Sequence, residues 1–227
     1  MGDLKGSFSI IFKELKVQLY TFSIVLVVLA AIYFVIGFYI EPSDSFNPLL
    51  SGPVYGILGF LPLFMFGDPL KSSIELGATR RQYIVSLWLS YIIFIVMMLI
   101  IQEVISFILE RVASVTNSDV TLMRISDILP NASGLDSMWV DFLAILFIAG
   151  ICFLLGAIIY RIGVIPTMIG VLFLGIIVFI WFVLGDFTPF FKWVYQHIYE
   201  MFHILGAIGI ISALCIYPIM IQARLKA

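Results

Sequence analysis

The chain has 227 residues, 63% hydrophobic and only 11% charged, with a mean hydropathy of +1.17 and a formal net charge of −2. A soluble domain carries about 25% charged residues, so this composition excludes a water-exposed globule, and the small net charge gives no sign of a nucleic-acid partner. Several nearly uncharged runs of about 20 residues are long enough to cross a bilayer as helix, which predicts an all-α, polytopic membrane protein with six spans in one domain, 1–227.

Both cysteines, Cys152 and Cys215, lie inside apolar runs and read as small hydrophobes, not as a disulfide framework. No small-residue cleavage pattern follows the first apolar run, so a signal peptide is not expected. Residues 7–18 read as an amphipathic elbow helix in the membrane surface. Phe8, Ile11, Phe12, Leu15 and Leu19 form one stripe, while Lys13, Glu14 and Lys16 fall largely elsewhere. The plainer alternative is a basic flank that only sets orientation. Span one covers 20–40 and is followed by a short acidic loop, 41–48. Span two, 51–66, is short and carries Pro53 and Pro62. Its Gly52 and Gly56 have the small-xxx-small spacing that lets helices approach, a spacing that chance also produces in so glycine-rich a chain.

A polar island at 67–82 separates spans two and three and holds Lys71, Arg80 and Arg81. Asp68-Pro69 predicts an N-cap with proline at the first helical position. Gly77 predicts a stop at C′, and Thr79 with Gln82 predicts a capping box. The island therefore reads as a short helix over 68–78, a glycine break, and the capped start of a long helix. Span three, 80–113, exceeds the hydrocarbon thickness and should tilt or project, with Gln102, Glu103, Glu110 and Arg111 at its far end.

Residues 114–137 form a polar loop with one weakly amphipathic piece (Leu122, Ile125, Ile128, Leu129). The sequon at Asn131 is too short to carry weight. Span four is 138–160, and a tight turn at Arg161-Ile162-Gly163 leads into span five, 163–184. Residues 187–203 read as an outer interfacial or re-entrant helix started by Thr188-Pro189. Pro189, Phe190, Phe191, Trp193, Tyr195, Tyr199 and Phe202 suit the headgroup level. Span six is 204–221. Nine of the twelve Lys and Arg residues then share one side with both termini and the island, while Arg111, Arg124 and Lys192 take the other. The side with more basic residues is cytoplasmic.

The chain has no P-loop, no His-Glu-x-x-His and no Gly-x-Ser-x-Gly. His197, Glu200 and His203 spread over about 120° of a helix, a poor metal claw that reads as plain interfacial polarity. Glu103 and Asp141 lie toward the outer ends of their spans and read as paired or solvated interface residues. No proton path, metal site, catalytic set or energy source is evident, so the chain is not expected to be an enzyme.

The layout and Ile74-Glu75-Leu76-Gly77-Ala78-Thr79-Arg80-Arg81-Gln82 together resemble the permease subunit of bacterial type-2 ABC exporters, the six-helix relatives of drug, lantibiotic and peptide exporters. The resemblance covers the whole chain as architecture. Its local motif, x-x-Leu-Gly-x-Ser/Thr-Arg, is short. It implies that 68–78 is a coupling helix docking on a separate P-loop ATPase, with Asp68, Lys71, Glu75, Leu76, Gly77, Arg80 and Arg81 at the contact. The plainer alternative is that the two arginines merely obey the charge rule, which leaves the capped helix before them unexplained. The resemblance also implies two ATPase chains carrying ATP and Mg, a second permease, identical or similar, and a multi-pass place in a bacterial cell membrane. Spans two and five would line the substrate path, with Phe60, Phe64, Met65, Phe173 and Phe179 as apolar contacts. Those five are equally ordinary core or lipid-facing residues. The substrate expected is an amphipathic or hydrophobic peptide, lipid or drug. The chain lacks the large outer domain of some members. The alternatives are a membrane sensor or scaffold that regulates a partner without transport, and a membrane enzyme, which lacks a clustered set of reactive groups.

Overall fold

Lipid offers no hydrogen bonds to a backbone, so a chain this apolar must satisfy its own N–H and C=O groups, and helices do so within one segment. The computed structural model describes residues 2–39, 51–116 and 134–221. Over these residues the backbone is helix and turn with no strand. In order the helices are α1 (Gly2–Tyr39), α2 (Ser51–Phe60), a 3₁₀ turn (Leu61–Phe64), α3 (Asp68–Glu75), α4 (Arg80–Thr116), α5 (Gly134–Ile162), α6 (Val164–Leu184), α7 (Thr188–Gln196), α8 (Ile198–Leu214) and α9 (Ile216–Ile221). Five segments among the described residues are long and apolar enough to cross a membrane; Gly52–Phe64 and Asp68–Glu75, which meet at a bend of 48°, meet the same test only when taken together, as a broken span or a re-entrant loop. The acidic loop, the amphipathic piece near Leu122, Arg124, the sequon, and the basic residues Arg224 and Lys226 lie outside the described residues.

Several boundaries differ from the sequence reading. Residues 7–18 and span one lie in one uninterrupted helix of 38 residues. Nothing at the junction breaks a helix, and the stripe finds its partner inside the protein. Ile11, Leu15 and Leu19 are buried, with α1 lying along α4. The aromatic helix 187–203 also divides. His197 leaves helical geometry, so α7 ends at Gln196 and Tyr199 belongs to the last span.

α5 is the centre of the bundle, packing on α8, on the 3₁₀ turn, on α2 and on α9. Phe153 on α5 is the hub. Its ring lies 4.9 Å from Tyr91 and 5.8 Å from Trp88 of α4, and 6.1 Å from Phe66. Closest approach is between α5 and α8, where a Cβ on Gly150 would sit 2.2 Å from the carbonyl oxygen of Gly209. The expected glycine pair does not do this work, since Gly56 has nothing within 4 Å of where its Cβ would stand. α6 stands apart. Its main contact is with α5, and Thr167 is its one buried residue.

Candidate functional site

Pro62 and Pro69 shape the chain entering the island. Proline has no N–H, so each leaves the carbonyl four residues earlier without its helical donor. These carbonyls belong to Leu58 and Met65, and both are supplied from α4, where Tyr91 donates its hydroxyl to Leu58 O and Tyr83 donates to Met65 O. The span can therefore stop, tighten into a 3₁₀ turn and bend without an orphaned acceptor.

Beyond the bend the island has the predicted punctuation, displaced by one residue at its start. Gly67, not Asp68, is the residue before α3, and Asp68 is its first residue with no side-chain capping bond. The end is a full Schellman motif. Gly77 has φ +89°, its N–H donates to Ile74 O at 2.9 Å, and the Ala78 N–H donates to Ser73 O at 3.0 Å. α4 then opens with the capping box: Thr79 N–H donates to Gln82 Oε1 at 2.8 Å, and Gln82 N–H donates to Thr79 Oγ1 at 3.3 Å.

α3 is held on one side and open on the other. Leu70 and Ser73 are buried and Ile74 packs on the core, while Asp68, Lys71, Ser72 and Glu75 face outward. Leu76, next to the glycine, is 73% exposed, a large apolar side chain among charges. Arg81 is exposed as well. Arg80 is not part of that face. It is half-buried and donates to Met220 O and Ile221 O at 3.3 and 3.4 Å, satisfying carbonyls at the end of α9. The two arginines thus do different work, and the island sits at the same end of the bundle as the last residues of α9.

The five proposed path residues are not brought together. Phe60 and Phe64 are 61% and 71% exposed, and Phe173 and Phe179 stand exposed on α6. Met65 is buried in the core beside Tyr83 and faces no path in the single chain.

At the opposite end, Asp186 accepts from the Thr188 N–H at 3.1 Å, so the turn before α7 is held two residues earlier than the Thr188-Pro189 reading places it. Hydrogen bonds from the Thr188 side chain and backbone hold the Asp186 carboxyl below its ordinary value. Phe187 packs against Trp181 and Phe182 at 5.0 Å each, which joins α7 to the end of α6. Pro189, Phe190 and Trp193 lie on the exposed surface of α7. His203 does not converge with His197 and Glu200. Its Nε2 accepts from Trp139 Nε1–H at 3.2 Å, and its Nδ1–H donates to Tyr199 O at 2.9 Å.

Sequence reasoning missed Tyr83 and Tyr91. The signal was present as a proline four residues after each acceptor, but the donor sits on another helix and periodicity does not name it. Of the two readings of Asp141, paired or solvated, the structure gives the first. Asp141 is buried and accepts from the Tyr55 hydroxyl at 2.5 Å. Comparison with protein-family models, with curated proteins and with solved structures returned no match.

Proposed function

We propose that this chain is the membrane-spanning permease subunit of an exporter of the type-2 ABC kind, worked by a separate ATPase. The observation that carries the reading is α3: a short helix bent from its span, anchored by Leu70 and Ser73, and presenting Lys71, Glu75, Leu76 and Arg81 outward. A solvent-facing leucine flanked by charges, on a helix closed by a Schellman motif at its end, suits a protein groove. Arg80 ties the start of α4 to α9, so a push on α3 is delivered to two spans. ATP and Mg²⁺ belong to the partner, in two copies. The exposed Phe60, Phe64, Phe173 and Phe179 support a path completed by a second permease chain, through which an amphipathic or hydrophobic substrate moves. The plasma membrane of a bacterium, with the island in the cytoplasm, is the setting.

Affinity purification from gentle detergent tests this, with the co-purifying chains identified for the native protein and for Glu75→Ala/Arg81→Ala. Recovery of a P-loop ATPase that the variant loses is the expected result. A native chain that brings down a kinase or protease and no ATPase would replace transport with the sensor or scaffold role.

A further inference from the structure

Trp139 on α5 and His203 on α8 are joined by a bond that only one charge state of the histidine can make. An indole N–H donates and has no acceptor capacity, and Trp139 Nε1 lies 3.2 Å from His203 Nε2, so that ring nitrogen carries no proton. A carbonyl oxygen can only accept, and Tyr199 O lies 2.9 Å from Nδ1, so the proton of the ring sits there. The two partners together select the neutral ring in a single tautomer. A second proton turns Nε2 into a donor facing a donor. The Tyr199 bond survives that change and the Trp139 bond does not.

The bond sits where it can matter. Deeper in the bundle α5 and α8 meet through glycine, Gly206 at Leu143 and Gly209 at Leu146. Trp139 and His203 join the same two helices about one turn further toward their starts. His203 is exposed and Trp139 half-exposed, so protons reach the ring. The charged and titratable groups around it are Asp136 on α5, Tyr199 and Glu200 on α8, Lys192 and Tyr195 on α7, and His197 where α7 gives way to α8. Their charges set the point at which the ring takes up its proton. The loss of the bond follows from donor meeting donor, wherever that point falls. We propose that Trp139 and His203 form a proton-operated tie, which holds the start of α8 on α5 when the ring is neutral and frees it, with α7 attached, in acid. The inference rests on the bundle alone and needs neither the permease reading nor the orientation.

The test uses the full chain in a neutral maltoside detergent, with ¹⁵N in its four tryptophans. Trp139→Phe identifies the Trp139 indole N–H resonance by its disappearance. A titration from about pH 8 to about pH 5 spans the interval in which histidine side chains change charge. The Trp139 proton resonance should move upfield through it, reversibly, as a hydrogen bond is lost. His203→Gln offers an amide oxygen that accepts at every pH, and should hold the resonance still. Hydrogen exchange over residues 198–204, corrected for the intrinsic effect of pH, should rise about fivefold in acid, the factor that one ordinary hydrogen bond sustains. The His203→Gln chain should show no such rise. A native resonance that stays in place, one that moves as far in His203→Gln, or a shift without faster exchange would each overturn the proposal.

Discussion

Tyr91 and Pro62 form one device although they lie on different helices. The proline removes the donor that Leu58 O would have met, and the phenol on α4 replaces it. Removing that hydroxyl leaves a buried carbonyl unsatisfied, which costs about 1–3 kcal/mol. Tyr91→Phe should therefore lower the melting temperature in detergent. In the Pro62→Ala background the restored N–H can reach Leu58 O, so the same substitution should cost clearly less. Equal costs in both backgrounds would show that the two residues are not coupled. Asp186 is a second local device. Its carboxyl is held below the ordinary value of 3.8, first by the Thr188 side chain and then by the Thr188 N–H. A depressed carboxyl contributes fully above its unfolded value and loses the contribution as pH falls through the folded one. The start of α7 should therefore loosen only in strong acid, below about pH 4, with the sign of a lowered carboxyl. Trp193 fluorescence in a chain carrying that tryptophan alone would follow it, and Asp186→Asn should flatten the acid limb.

At the scale of elements, small residues decide which helices touch. α5 and α8 approach so closely at Gly150 and Gly209 that a methyl group on either would overlap backbone atoms of the other helix, at 2.2 and 2.5 Å. Close approach of this kind holds membrane helices together by dispersion, since lipid gives no hydrophobic drive between them. Gly209→Ala must push the pair apart and should cost about 1–3 kcal/mol, the usual penalty of overpacking. Gly56→Ala, with open space around it, should be close to neutral. Unfolding in detergent compares the two, and a neutral Gly209→Ala would contradict the contact. The island was readable beforehand because its signals are local. Gly77, Thr79 and Gln82 act on backbone groups within five residues of themselves, so spacing alone specifies the motif. The partners of Arg80 and Met65, the end of α9 and Tyr83, are set by packing between helices, which spacing does not name.

For the whole molecule, one end of the bundle gathers Glu14, the island, Tyr160 and the close of α9, while the other gathers Trp139, His203 and α7. The positive-inside count leads us to propose the first end as the cytoplasmic one. Single cysteines introduced as Ser72→Cys and Tyr195→Cys, in a chain with Cys152 and Cys215 replaced by alanine, test that assignment. An impermeant maleimide applied to sealed cells should label the second and not the first. Labelling of both from one side would remove a crossing between them. The same whole-molecule view explains the uneven burial, with α5 enclosed by its neighbours and α6 exposed apart from Thr167.

By itself the sequence determined an all-helical chain with five to six apolar segments long enough for a bilayer, and the capping chemistry of the island. Each of these follows from an apolar run long enough for a bilayer or from a side chain meeting nearby backbone. Tertiary structure alone decided that the α1 stripe packs on α4, which glycines bring helices together, and which arginine bonds the end of α9. The physical reason is that lipid is as apolar as a protein core. A hydrophobic residue facing either looks the same in sequence, and only packing separates them.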